Sequence, residues 1–338
     1  MKAFQIAEHA HPTKIKVSND VKPPVPSGKE VLVDVYTAGL NFFDILQAQG
    51  KYQNQPPLPF VLGTEFAGRI AKNSPIPKGC PYKPGDKVFG AGQGAYGEQV
   101  TANPALCLPI PDGMTYEQAA GLFITYPTSY EGLVGRGEVK KGDWVLVHAG
   151  AGGVGLAAVQ IAKALGCKVI ATASKESKRQ VCIERGGADH AIDYSAKDWQ
   201  KKVLEITGGK GVDVVYDPVG LIVPSLKCVK WKARVVVVGF AAGTIEKIPA
   251  NLILLKNISI VGVHWGAYTK NEPSQQLQVW GELMRLFSER KLVPAVFDKV
   301  YDGLEEVAQG LDDLEKRRTW GKAVVRVRGA KGDGEAKL

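Results

Sequence analysis

Cysteine is scarce and scattered in this chain. Five thiols, Cys80, Cys107, Cys167, Cys182 and Cys228, are spread over 338 residues with no CxxC pair among them. That excludes a disulfide framework and a cysteine-rich zinc lobe, and it points to a reducing compartment, the cytoplasm. Histidine is equally thin: His9, His11, His148, His190 and His264 form no cluster with the cysteines, so no ligand set for a catalytic metal assembles from the sequence. No run of 18 apolar residues occurs, and the opening MKAFQIAEHA lacks the apolar core of a secretion signal. A membrane segment is therefore not expected. The chain ends in Ala336-Lys337-Leu338, one residue away from the Ser-Lys-Leu peroxisomal signal, which leaves that destination open beside the cytoplasm. Repeats and low-complexity tracts are absent too. Acidic residues are outnumbered, 34 against 43 basic ones, giving a net charge of +9 and a pI near 9.1. Such a balance favours anionic ligands, but no RNA or DNA module signature accompanies it.

What is present is the composition of an ordinary globular protein, 45% hydrophobic and 23% charged, in a chain longer than one compact core usually supports. Two domains are expected. Up to residue 122, short apolar runs such as EVLVDVYTAGL, KPGDKVFG and GAYGEQVTA are cut by turn signals and by Pro23, Pro24, Pro26, Pro56, Pro57 and Pro59. This is the pattern of a compact β-barrel. Thr115 followed by Gln118 forms a capping-box pattern ahead of a helix starting at YEQAAGLF.

From Asp143 the pattern changes. WVLVHA, KVIATA, HAIDY, VDVVYD, RVVVVGF and ISIVGVHW follow one another with helical or loop segments between them. Val and Ile dominate with little alternation, as in parallel strands buried on both faces. Repeated strand–helix–strand units predict a doubly wound parallel sheet of six strands. Two amphipathic helices, QQLQVWGELMRLFSER and GLEEVAQGLDDLEKRR, lie beyond Trp265, and a last strand, GKAVVRVR, is expected to return to the N-terminal barrel. The division predicted is 1–122 with 268–338 for the barrel domain, and 123–267 for the sheet.

The first strand of the series runs into HAGAGGVGLAAVQIAKALG, where Gly150, Gly152 and Gly155 satisfy G-x-G-x-x-G and Gly153 is added. One glycine permits the tight turn, one lets a pyrophosphate approach the backbone, and one lets the helix pack close to the sheet. Val154, Ala158, Ile161 and Leu165 then recur at helical spacing, so the turn opens a helix whose N-terminus can receive phosphate. His148, just before it, reads as a packed strand-end residue. An NAD site needs a carboxylate at the end of the second strand; here that strand ends IATASKESKR, with no acid before Glu176. Ser174 and Lys178 suit a 2′-phosphate instead, which predicts NADPH. The barrel segment LGTEFAG carries Thr64 and Glu65 but no histidine or cysteine, so the chemistry expected is metal-free hydride transfer to an electron-poor acceptor.

GLNFFDILQAQGKY, PLPFVLGTEFAG, KPGDKVFG, GAYGEQV, HAGAGGVGLAAVQIAKALG, ITGGKGVDVVYDPVG and a terminal GKAVVRV occur in that order, from Met1 to about Arg328. Together they resemble the zinc-free quinone oxidoreductases, zeta-crystallin type, of the medium-chain dehydrogenase/reductase superfamily. The resemblance implies an α/β protein with a GroES-like catalytic barrel built from both chain ends, a Rossmann domain in the middle, NADPH as cofactor, and a homodimer formed through the edge of the Rossmann sheet. Carried over by motif, Asn41, Phe42 and Asp44 would line the nicotinamide end of the cofactor site and Thr128 would contact the nicotinamide or its ribose. Gly152, Gly153 and Val154 would hold the pyrophosphate, and Ser174, Lys178 and Tyr194 the 2′-phosphate. Phe240 and Lys322 would complete the cofactor wall.

Two departures stand out. Leu46 occupies a position where some relatives carry tyrosine, which leaves Tyr52 as the nearest phenol in sequence for proton donation, and Pro127 replaces a small or apolar residue. Asn41 and Asp44 are expected to orient the site rather than donate the proton. Trp265 and Tyr268 fit either an acceptor pocket or a dimer contact. The expected acceptor is a quinone. An alkenal, enone or enoyl thioester is electronically equivalent, and RNA binding, known of some zeta-crystallins, is a rival of another class.

Overall fold

The computed structural model describes residues 1–53, 55–241, 243 and 245–328, so the terminal Ala336-Lys337-Leu338 lies outside the described residues. The chain divides into two compact units, residues 1–123 with 296 onward, and residues 124–295.

The first unit is built on a largely antiparallel sheet organised by the strand Val31–Gly39. That strand pairs antiparallel with Glu65–Ile70 along most of its length, with Gln99–Ala102 at its start, and with Val324–Arg326 at its end. Its register shifts between Val35 and Thr37, where one extra residue bends it. Lys87–Ala91 and Cys107–Pro109 extend the sheet on one side and Tyr301–Asp302 on the other. EVLVDVYTAGL reads as alternating, yet Val31–Gly39 is buried at seven of nine positions, the exceptions being Asp34 and Tyr36. Three neighbouring strands and a core containing Val33, Val35, Phe66, Val88 and Tyr301 account for this. The return of GKAVVRVR is as expected: Val324 faces Gly39 and Arg326 faces Thr37. The Thr115–Gln118 capping box also forms, with Gln118 N–H donating to Thr115 Oγ1 at 3.2 Å and Thr115 N–H to Gln118 Oε1 at 3.0 Å. It opens a helix of only four residues, Tyr116–Ala119.

The second unit is a six-stranded parallel sheet: β1 Trp144–Val147, β2 Lys168–Thr172, β3 His190–Ile192, β4 Val212–Asp217, β5 Val229–Val237 and β6 Ser259–Gly262. Their spatial order is β3-β2-β1-β4-β5-β6, so the winding reverses between β1 and β4, the point at which doubly wound sheets bind ligands. Leu146, Ile170, Val215 and Val235 form the buried centre. The helix after the glycine turn, Gly153–Ala164, is buried from Gly155 through Ile161 and Ala162 rather than on one stripe, and Val154 and Leu165 are its half-exposed ends.

One domain boundary needs correction. The segment 268–295, expected with the barrel, belongs to the sheet unit. Its helix Pro273–Ser288 packs on the helix Thr125–Tyr130, with the Phe287 and Tyr126 rings edge to face at 5.0 Å. Gln160 Nε2 and the Tyr126 hydroxyl both donate to Val293 O, at 2.8 and 3.4 Å, which ties the following loop down. The return to the barrel therefore starts at Val296.

Candidate cofactor and active sites

In the second unit the glycine turn sits at the end of β1, on the switch point. Gly150 N–H donates to Thr172 O on β2 at 2.9 Å, and Leu156 N–H to Gly152 O at 2.8 Å begins the helical ladder. The N–H groups of Gly153, Val154 and Gly155 thus precede the first intrahelical bond and aim out of the helix end. The glycines differ in what they are for. A Cβ on Gly150 would meet Ala171 Cβ at 2.7 Å, and one on Gly155 would run into Ala149 O. A Cβ on Gly152 meets only Ala149 O, at 3.3 Å. Packing demands the first and third glycines, while the second leaves a bare backbone face. That cradle fits a pyrophosphate.

Helix Thr125–Tyr130 is joined to this turn by Ser129, whose hydroxyl lies 2.8 Å from Val154 O. Thr128, its neighbour, donates its hydroxyl to Ile124 O at 2.6 Å, so its oxygen can only accept from a ligand. His148 is wholly buried between Thr172 Oγ1 (3.0 Å) and Ser225 Oγ (2.7 Å), and burial holds its imidazole down at about 4. It is a neutral packing residue of the strand end.

At the end of β2, Ser174 is exposed and Lys178 half-exposed on the first turn of the helix Glu176–Glu184. Arg179 braces the turn. Its Nη1 donates to Ala173 O at 3.1 Å and Ser174 O at 2.7 Å, and its Nε donates to Glu176 at 3.1 Å. The nearest acid in sequence is therefore already engaged by a guanidinium. Arg179 also lies 3.6 Å from Asp193, which puts Tyr194, next to Asp193, in the same neighbourhood. Phe240 is exposed beyond β5. Trp265 is buried and stacks on Tyr268 at 5.1 Å, while the Tyr268 hydroxyl donates to Glu131 Oε1 at 3.0 Å.

In the first unit, sequence-distant polar residues meet in the core. Asn41 caps the helix Phe42–Ala48, and Asp44 reaches back so that Oδ2 accepts from Asn41 N–H at 2.9 Å. The Asn41 side chain is held at both ends: Nδ2 donates to Glu65 Oε1 at 2.9 Å, and Oδ1 accepts from Lys322 Nζ at 2.6 Å. Lys322 and Glu65 also form an ion pair, with both side chains buried. The packing leaves no slack, because a Cβ on Gly121 would meet Lys322 Cγ at 2.6 Å and one on Gly39 would overlap Glu65. The Tyr96 hydroxyl donates to Asp44 Oδ2 and lies 3.1 Å from Gly39 O.

Burial pushes the Asp44 carboxyl up to about 7, with a smaller push from Glu65; the Tyr96 hydroxyl, the Asn41 amide and the Lys322 ammonium pull the other way. Burial and the Asp44 charge together hold the Tyr96 phenol well above its ordinary value. Tyr52 stacks on Phe43 at 5.3 Å, and its phenol is raised by burial and then by Asp44. Phe42 is partly exposed on the same helix, and Leu46 is half-buried.

The structure thus gathers Asn41, Asp44 and Lys322 into one network with Tyr52 in its electrostatic reach, and gathers Gly152, Gly153 and Val154 into one turn. Glu65 and Tyr96 are the residues the sequence reading did not place in the site, although both fall inside motifs it singled out, LGTEFAG and GAYGEQV. An acid opening a strand whose next three residues, Phe66, Ala67 and Gly68, are uncharged and buried is the signal that could have found Glu65. Among the described residues no group of three or more His, Cys, Asp or Glu is placed to hold a metal ion.

Known proteins share this fold. An alcohol dehydrogenase GroES-like domain family matches residues 27–112, and a zinc-binding dehydrogenase family matches residues 153–287. A quinone oxidoreductase-like protein 2 homolog of Nematostella vectensis is 37% identical over 88% of this chain and 81% of its own length. The quinone oxidoreductase of Mus musculus is 33% identical over 93% of this chain and 94% of its own. The crystal structure of Escherichia coli quinone oxidoreductase complexed with NADPH superposes with a TM-score of 0.87 at 30% identity, covering 96% of this chain and all of that one. With a GroES-like unit, a six-stranded Rossmann unit and these relatives over nearly its whole length, the chain belongs to the quinone oxidoreductase-like family of the medium-chain dehydrogenases and reductases.

Proposed function

We propose that this oxidoreductase is an NADPH-dependent, metal-independent reductase of quinones and similar conjugated carbonyls. The observation that carries the cofactor is the end of β2, where Ser174 and Lys178 stand with Glu176 tied to Arg179, next to the strand whose turn leaves the backbone bare at Gly152. An unengaged carboxylate there would repel a 2′-phosphate. The NADPH complex of the Escherichia coli relative supports the same reading. Gly152, Gly153 and Val154 hold the pyrophosphate through backbone N–H groups. Ser174, Lys178 and Tyr194 hold the 2′-phosphate, Phe42 and Thr128 meet the nicotinamide or its ribose, and Phe240 and Lys322 complete the cofactor wall. When bound, the reduced nicotinamide supplies a hydride. Asn41 and Asp44 fix the polar side of the site, and the Tyr52 phenol, kept protonated by its raised pKa, donates the proton. No metal has a part in this scheme: the buried cation beside Asn41 is the Lys322 ammonium, already balanced by Glu65.

NADPH oxidation by the purified protein, measured against ortho-quinones, para-quinones, enals and enoyl thioesters, tests the proposal. Turnover with quinones, undiminished after chelator treatment, is expected. Oxidation of NADPH by none of the four classes overturns it, and turnover with enals or thioesters alone moves the substrate class.

We further propose a homodimer through the outer edge of β6. That strand pairs only with β5 among the described residues, and the helix Ala250–Lys256 just before it half-buries Leu252 and Ile253 but leaves Leu254 78% and Leu255 69% exposed.

A further inference from the structure

The hydrogen bonding of Asp44 is one-sided. Oδ2 accepts from both the Tyr96 hydroxyl and the Asn41 N–H, whereas Oδ1, equally buried, has no hydrogen-bond partner among the described residues. An ionised carboxylate spreads its charge over both oxygens, so ionised Asp44 would leave a charged oxygen buried and unsolvated. A proton on Oδ1 removes that charge, leaves both existing donors on the carbonyl oxygen, and turns the orphan acceptor into a donor. We propose that Asp44 is kept as the neutral acid with its proton on Oδ1, so that no carboxylate charge opposes Tyr52 when that phenol gives up the proton that follows the hydride to the acceptor. This rests on the reductase reading above.

The groups that face Asp44 set how tightly the proton is held. Lys322 favours ionisation and Glu65 opposes it, and these two are paired with each other. Tyr96 favours ionisation through its hydrogen bond, and Tyr52 interacts with the Asp44 charge. With burial the largest influence, the carboxyl is raised to about 7, so the neutral acid is held up to the neutral range. Tyr96 is a positioning residue: by occupying Oδ2 it leaves Oδ1 as the place for the proton. Tyr52, half-buried rather than buried, is the group a substrate can reach.

The step balances. A quinone that has gained a hydride, which brings both electrons, takes one proton from the Tyr52 hydroxyl and becomes the hydroquinone. Tyr52, half-buried, takes its proton back from water, and the Asp44 proton stays on Oδ1. No other co-reactant is needed.

Infrared difference titration of the cofactor-free protein tests the resting state without any turnover. A protonated-carboxyl stretch that disappears as pH rises through the neutral range is expected. It should be absent in Asp44→Asn and shifted to higher pH in Tyr96→Phe, because the lost hydrogen bond favoured the carboxylate. In steady state, the wild-type rate should fall on the alkaline side of the same titration. Asp44→Asn, which cannot ionise, should abolish that limb. Tyr52→Phe should lower kcat about tenfold or more with the infrared band intact. No protonated carboxyl at neutral pH in a protein that reduces quinones overturns the neutral-acid proposal and leaves the reductase reading standing. An unchanged pH profile in Asp44→Asn does the same. The titrating band in a protein that reduces no acceptor overturns the reductase reading, and with it the part of Asp44 in proton donation.

Discussion

Asn41, Asp44 and Lys322 were legible because each lies in a short motif. Glu65 and Tyr96 were not, because what gives them a role is a contact across the fold: Lys322 reaches Asn41 over 281 positions and Tyr96 reaches Asp44 over 52. A sequence shows residue types, but only burial shows that these polar groups have no water to turn to. Burial also has a consequence for stability. The Asp44 carboxyl is raised from 3.8 to about 7, so between those values the folded chain holds a proton that the unfolded chain has released. Stability from this group is therefore full at low pH and is lost as pH rises through the window, by up to about 4 kcal/mol. Asp44→Asn should raise the melting temperature at about pH 8 and change it least at about pH 5; thermal unfolding across that range checks it. At the β2 end, Lys178→Ala should weaken NADPH about tenfold or more and NADH by less than about twofold, because the phosphate contact is charge-assisted. Equal losses in a binding titration would remove the 2′-phosphate assignment.

The glycine turn at the head of Gly153–Ala164 shows how far one element can be read from its letters. G-x-G-x-x-G gave the position and the helix, and the structure separates the glycines by role. Gly155→Ala puts a methyl group into Ala149 O and should cost about 1–3 kcal/mol in denaturant unfolding. Gly152→Ala meets one atom at 3.3 Å, so it should cost much less stability yet weaken NADPH by about tenfold. Matched stability losses in the two variants would contradict that division. Two element-scale features were not legible. The burial of Val31–Gly39 arises from three partner strands, which no local alternation reveals. The helix Pro273–Ser288 has an apolar face that either unit could have covered; Tyr126 and Val279, Trp280, Leu283 and Phe287 decide it, and the sequence does not say that they meet.

For the whole molecule, the division into a barrel unit and a doubly wound sheet was readable because the two patterns, turn-punctuated strands and repeated strand–helix units, differ over more than a hundred residues each. Assembly was less so. In the proposed homodimer a second copy of the chain would cover the exposed Leu254 and Leu255, which lie just before β6 in the chain. Changing both to Glu should convert a dimer to a folded monomer in sedimentation, and a wild-type chain that is monomeric at micromolar concentration would contradict the edge assignment. The central claim is chemical, that this fold passes a hydride directly to a conjugated carbonyl without a metal. Its most direct test is anaerobic turnover of chelator-treated protein with a para-quinone and NADPH deuterated at the transferable position. The account predicts one hydroquinone per NADPH consumed, slowed by a primary isotope effect. NADPH left unoxidised by a protein that binds it would contradict the account.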